Sequence, residues 1–139
     1  MELALVGHVP GDEHSGNVDD VVRRLRADSW STVYADAPAS AVAYAVGAEL
    51  GINIAVEHAL SLSEVVRRNA GRSVVAVCDP EVTRAFIALA AGVDHDFVPV
   101  PRPGSISRLR VSRSGTYSLI SLNETLHLHG SYSKKGGIE

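Results

Sequence analysis

Leu3-Ala4-Leu5-Val6-Gly7-His8-Val9-Pro10-Gly11 opens the chain with an apolar run that stops at a glycine and a histidine. Four consecutive apolar residues are what a strand buried on both faces requires, and the Gly-His break marks its carboxyl end. The same form returns at Ser73-Val74-Val75-Ala76-Val77-Cys78, which breaks at Asp79-Pro80. In a parallel α/β sheet, ligands bind beyond the carboxyl ends of the strands. His8 and Asp79 are therefore the first candidates for a site.

The remaining segments supply alternating strands and helices. Val9 to Asn17 is rich in Gly, Pro and acidic residues and reads as a loop, after which Asn17 is placed to cap a helix running to about Asp28. Val18, Val21, Val22 and Leu25 share one face of that helix. Ser31 to Ala35 is β-branched and aromatic, hence a strand, and Asp36-Ala37-Pro38 hands over to an Ala-rich helix closed by Gly51. Ile52 to Val56 alternates as a short strand. Ser61-Leu62-Ser63-Glu64 then has capping-box spacing ahead of a third helix with a basic end at Arg67-Arg68.

Asp79 as N-cap, Pro80 at the first helical position and Gly92 past the last turn delimit a fourth helix. Val93 to Gly104, with three prolines, reads as an extended loop, and Ser105–Ser112 and Thr116–Asn123 flank a Ser114-Gly115 turn as a hairpin. The fold class expected is α/β: a three-layer sandwich whose central sheet is mainly parallel, with a C-terminal hairpin. One domain is expected over residues 1–130, and 131–139 as a flexible tail.

Composition narrows the partners. The net charge is −3, from 13 basic and 16 acidic residues, and no basic stripe interleaved with aromatics argues for nucleic acid. No apolar stretch approaches the roughly 18–20 residues that span a bilayer, so the chain reads as cytoplasmic and without a membrane partner. The lone Cys78 cannot form an internal disulfide and reads as a small core hydrophobe. Ala, Val, Arg and Asp are abundant beside two lysines, which suggests a bacterial coding bias. A small-molecule ligand or a partner protein fits these readings, and a homodimer is left open.

The order of landmarks resembles the histidine phosphatase superfamily, also called phosphoglycerate mutase-like. Its first strand ends Leu-Val-Arg-His-Gly, where this chain reads Leu5-Val6-Gly7-His8-Val9. Its Ser-Pro-Leu-x-Arg-Ala-x-x-Thr-Ala segment is matched by Asp36-Ala37-Pro38-Ala39-Ser40-Ala41-Val42-Ala43-Tyr44-Ala45. A late Val-Ser-His-Gly before an Arg-containing helix corresponds to Val77-Cys78-Asp79-Pro80 with Arg84, and a closing Asn-x-x-x-His-Leu to Asn123 through Leu128.

The resemblance implies a phosphoglycerate mutase-like fold and a phosphoryl-transfer pocket in which the first histidine is phosphorylated between two arginines and a second histidine. Position by position, His8 matches that nucleophile, but Gly7 and Ser40 stand for the arginines and Asp79 for the second histidine. Removing one donor from such a pocket typically costs about 10²–10³-fold, so three departures imply a pseudoenzyme that is not a phosphatase and acts as a binding or accessory protein. The alternative is a repurposed enzyme in which His8 is a general base, with Asp79 or Asp36, on a non-phosphate small molecule. A residual phosphomonoesterase through His8 is the least favoured reading.

Each candidate has a structural reading beside the functional one. His8 is a base or nucleophile, or a histidine hydrogen-bonded under a loop. Asp79 and Asp36 hold His8, or cap the helices that follow them. Glu57 is a candidate proton donor after the third strand. Gly7, Glu13, His14 and Ser40 are candidate ligand-binding positions around His8. Asp12, Glu13 and His14 offer metal-ligand atoms without a fixed spacing, so no metal and no cofactor is expected. Tyr34, Tyr44 and His127 read as packing residues, His129 with them, and Asp94-His95-Asp96 as an exposed acidic loop.

Overall fold

Alternate residues of each central strand face opposite sides of the sheet, and in this protein both sides are covered. The structure is a computed structural model, and it describes residues 1–7, 15–36, 39–57 and 60–128. Its elements are β1 (Glu2–Gly7), α1 (Ser15–Leu25), β2 (Thr32–Asp36), α2 (Ser40–Leu50), β3 (Asn53–Glu57), α3 (Leu62–Arg68), β4 (Ser73–Cys78), α4 (Pro80–Ala91), β5 (Ile106–Val111) and β6 (Tyr117–Glu124). They form one six-stranded sheet of order β3-β2-β4-β1-β5-β6.

The first four strands are parallel, β1 beside β4 and β2 between β4 and β3. β5 runs antiparallel to β1, and β6 antiparallel to β5. Ala4, Val6, Val33, Ala35, Val75 and Val77 point to a core under α1 and α2 with Trp30, while Leu3, Leu5, Tyr34, Val74, Ala76 and Cys78 point to one under α3 and α4. This is the expected three-layer arrangement with its terminal hairpin. Continuous burial explains why β1 and β4 are unbroken apolar runs.

Helix ends follow the local chemistry closely at α4. The Asp79 carboxylate accepts the Glu81 N–H at 2.8 Å, Pro80 opens the first turn, and Gly92 closes it at φ 71°. Ser61 accepts the Glu64 N–H at 3.3 Å to start α3. At α1 the expectation needs correction. The helix begins at Ser15, so Asn17 is inside it instead of capping it, and it ends at Leu25 instead of near Asp28. The chain turns there because the Trp30 indole N–H donates to the Leu25 carbonyl at 2.8 Å while its ring enters the core. Tyr44 is a second correction. It lies on the outer face of α2, exposed instead of packed, since the apolar period of that helix is carried by Val42, Ala43 and Val46.

Val93 to Gly104 is irregular as expected, apart from one 3₁₀ turn at His95–Phe97. Asp94, His95 and Asp96 are exposed there. Among the described residues, no helix is long and apolar enough to cross a membrane. The segment 131–139, expected as a tail, lies outside the described residues, as does His129.

Candidate functional site at the strand ends

Four neighbouring strands end on one side of the sheet, and their last residues converge. In the order β3, β2, β4, β1 these ends carry Glu57, Asp36, Cys78 followed by Asp79, and Gly7. Asp36 stands directly beside Glu57, and Gly7 beside Cys78. Neighbouring strands lie about 4.8 Å apart, so three carboxylates share the edge where an α/β sheet places its ligand. His8, Glu13 and His14, named from the sequence, lie outside the described residues. Ser40 opens α2, and its side chain likewise lies outside the description.

Each carboxylate has a structural partner. Asp36 accepts the Ala39 N–H at 3.2 Å just ahead of α2, which fits the capping reading, although the residue before the helix is Ala39. Asp79 caps α4 through one oxygen. Glu57 pairs with Arg68 of α3 at 2.9 Å, and the guanidinium of Arg68 lies 5.9 Å from the centre of the Tyr34 ring. The Arg68 partner was not foreseen, because it sits 11 residues on and across a strand-to-helix connection.

Cys78 lies under this edge and is fully buried. Burial first, then the negative charge of Asp36 and of Asp79, pushes the thiol well above its ordinary pKa, while the Thr83 hydroxyl works against them. The sulfur is a neutral core thiol, as the sequence suggested, and no nucleophile.

Gly7 is the most constrained position of the four. Its N–H donates to the Ser105 carbonyl at 2.9 Å, and its own carbonyl accepts the Gly104 N–H at 3.1 Å. A β-carbon built on Gly7 would lie 2.3 Å from the Arg102 carbonyl oxygen and 3.2 Å from the Ser105 hydroxyl. The strap 102–105 therefore occupies the space a side chain at position 7 would need. The strap is held from its other side too. Asn123 accepts the Arg102 N–H at 3.0 Å through its side-chain oxygen, and His127 Nε2 lies 2.7 Å from the Gly104 carbonyl oxygen. Asn123 does this at φ 53°, the left-handed conformation that asparagine tolerates better than most residues. Sequence reading placed Asn123 and His127 in a terminal motif but gave them no task, because their contacts are some twenty residues away in the chain.

The sheet topology and its covering helices have solved counterparts. YhfR of Bacillus stearothermophilus superposes with a TM-score of 0.80 over 91% of this chain and 98% of that chain, at 14% identity. The fold is that of the histidine phosphatases. The phosphoserine phosphatase of Entamoeba histolytica, solved with 3-phosphoglyceric acid, gives a TM-score of 0.73 over 91% and 98% of the two chains at 10% identity. The α-ribazole phosphatase of Shigella flexneri gives 0.74 over 89% and 96% at 11%. At such identities the likeness concerns the histidine-phosphatase fold and not its chemistry. No family model and no curated protein matches the sequence.

Proposed function

We propose that this histidine-phosphatase-fold protein does not hydrolyse phosphate esters, and that its strand-end crevice serves a binding or accessory role. The observation that carries the reading is Gly7. Where the resembled motif has an arginine, the Arg102 carbonyl leaves no room even for a β-carbon. The loss of that cation is thus built into the backbone around it. Asp36 and Asp79 reinforce the reading, since carboxylates at the same edge repel a phosphoryl group instead of stabilising it. The test is a steady-state assay over a panel of phosphate esters, including phosphoserine, 3-phosphoglycerate and p-nitrophenyl phosphate. Release of phosphate at background level is the expected result. Turnover in the ordinary enzyme range of about 1–10³ per second, lost in His8→Ala, overturns the proposal.

A second reading draws on the oxygens that capping leaves free. Asp36 and Asp79 each commit one carboxylate oxygen to a backbone N–H, and the other has no hydrogen-bond partner among the described residues. Either could orient His8 as a general base on a non-phosphate small molecule. This reading requires a turnover of such a molecule that His8→Ala abolishes, and that Asp79→Asn or Asp36→Asn abolishes with it.

A further inference from the structure

A cavity of about 450 Å³ lies between α1 and the end of β6; it is lined by Asp20, Arg23, Arg24, Glu124, Leu126 and His127. Its size is that of a small-molecule pocket. Arg23 donates to Asp20 at 2.7 Å through NH1, and Arg24 to Glu124 at 3.1 Å through Nε. A guanidinium has five N–H groups, so among the described residues most of those on both arginines have no protein acceptor. Two cations and two carboxylates balance here, and neither a bare anion nor a bare cation is favoured.

His127 supplies the second observation. Its side chain is 4% exposed. Because Nε2 faces a carbonyl oxygen, which only accepts, that nitrogen carries a proton, and in the tautomer with that single proton Nδ1 presents a lone pair. Among the described residues Nδ1 has no hydrogen-bond partner, and it stands 4.0 Å from Glu124 Oε1. In that tautomer the buried Nδ1 faces Glu124 Oε1, itself partly exposed and already accepting from Arg24, with no donor between them among the described residues, and leaving Nδ1 unpaired costs free energy until a donor is interposed. One nitrogen bonded to both at about 2.9 Å would span that gap at an angle of roughly 90°.

We propose that this cavity binds a small zwitterion of the apolar α-amino-acid class. Its ammonium group bridges Glu124 and His127, Glu124 shifting to admit it. Its carboxylate lies on the free N–H groups of Arg24 and Arg23. Its side chain lies against Leu126, an apolar residue left 76% exposed at the cavity mouth. The charges of such a molecule are separated by about one residue's backbone, which matches an arginine and a donor-deficient histidine that share Glu124 as neighbour.

The experiment is an NMR titration of the ¹⁵N-labelled full chain with leucine and phenylalanine, and with the two halves of leucine, 4-methylpentanoate and 3-methylbutylamine. Saturable shifts of the Glu124, Leu126 and His127 amides are expected, with each half binding at least about tenfold more weakly than leucine. Arg24→Gln weakens leucine about tenfold and leaves the amine unchanged, and Glu124→Gln does the converse with the carboxylate. Both variants alter a partly exposed ion pair and keep the fold. The amide spectrum of each verifies this. No saturable shift up to about 10 mM of either amino acid, a concentration at which even millimolar affinity would register, overturns the proposal: the missing donor is then a water or a proton on His127. It also fails if 4-methylpentanoate binds as tightly as leucine, or if neither variant changes leucine binding.

Discussion

The carbonyl oxygen of Arg102 packs so closely over the α-carbon of Gly7 that a β-carbon there would sit 2.3 Å away. Backbone is what stands in the way, and backbone in a strap hydrogen-bonded to Gly7 on both sides does not step aside cheaply. Gly7→Ala is therefore expected to destabilise the fold by about 1–3 kcal/mol, the usual cost of overpacking. Gly7→Arg should cost more and should not create phosphatase activity, although it rebuilds the Leu-Val-Arg-His order. Urea denaturation of the three proteins measures the first effect, and phosphate release the second. A Gly7→Ala protein as stable as the parent would show that the strap yields, and would weaken the argument that position 7 has no room for an arginine.

Asp79 stands at the edge of the proposed crevice and also at the start of α4. The 2.8 Å bond from the Glu81 N–H gives it a cap's work. Asp79→Ala is expected to cost about 0.5–2 kcal/mol, and Asp79→Asn distinctly less because its side-chain oxygen still accepts. Chemical denaturation with both variants separates this from a role in the crevice. If the two substitutions cost the same, the cap bond is not what Asp79 contributes to stability, and a purely structural account of it fails.

Local punctuation was legible in the sequence and distant packing was not. β4 falls on Ser73–Cys78 and α4 on Pro80–Ala91, where apolar run, cap, proline and terminal glycine all lie within a few residues of what they govern. The edge carrying Asp36, Glu57 and Asp79 also follows from the pattern, since strand ends of a parallel sheet converge whatever the loops do. The strap over Gly7 does not. Pro101-Arg102-Pro103-Gly104 reads only as extended chain, and nothing in its composition says that it lies against a residue some ninety-five positions earlier. The start of α1 was missed for a related reason. Val18, Val21, Val22 and Leu25 define which face is buried but not how many turns precede the first apolar residue.

Cys78 makes stability depend on pH in a direction that can be worked out. Its thiol is held protonated in the folded protein, chiefly by burial, and titrates near 8.5 once exposed. Above that value the unfolded chain gives up a proton that the native one keeps. The contribution is thus fully present below about pH 8.5 and is lost as pH rises toward the native thiol's raised pKa, at up to about 1.4 kcal/mol per pH unit. Cys78→Ala should be less stable at pH 7, through the small cavity it leaves, yet lose less stability between pH 8 and 10. Denaturant midpoints across that range test this, and a native thiol that reacts promptly with a thiol reagent at pH 8 would refute the burial itself.

Asn123 gives the last prediction, because two separable properties meet in it. Its φ of 53° is a left-handed conformation that costs a residue with a β-carbon roughly 1–2 kcal/mol, glycine almost nothing, and asparagine or aspartate an intermediate amount. Its side-chain oxygen also accepts the Arg102 N–H at 3.0 Å and so fastens the strap that fills the space beside Gly7. Asn123→Asp keeps the acceptor and most of the conformational tolerance, and should lie close to the parent. Asn123→Gly keeps the conformation and loses a hydrogen bond, for about 0.5–1.5 kcal/mol. Asn123→Ala loses both and should be the least stable of the series. Amide hydrogen exchange should report the same order at Gly104 and Gly7, whose mutual bond depends on the strap staying in place. If glycine and alanine prove equal, the positive φ is relaxed in solution. If aspartate is as poor as glycine, the bond to Arg102 is not what holds the strap, and the closure of position 7 must rest on the backbone bonds of Gly7 to Ser105 and Gly104 and on the His127 contact with Gly104.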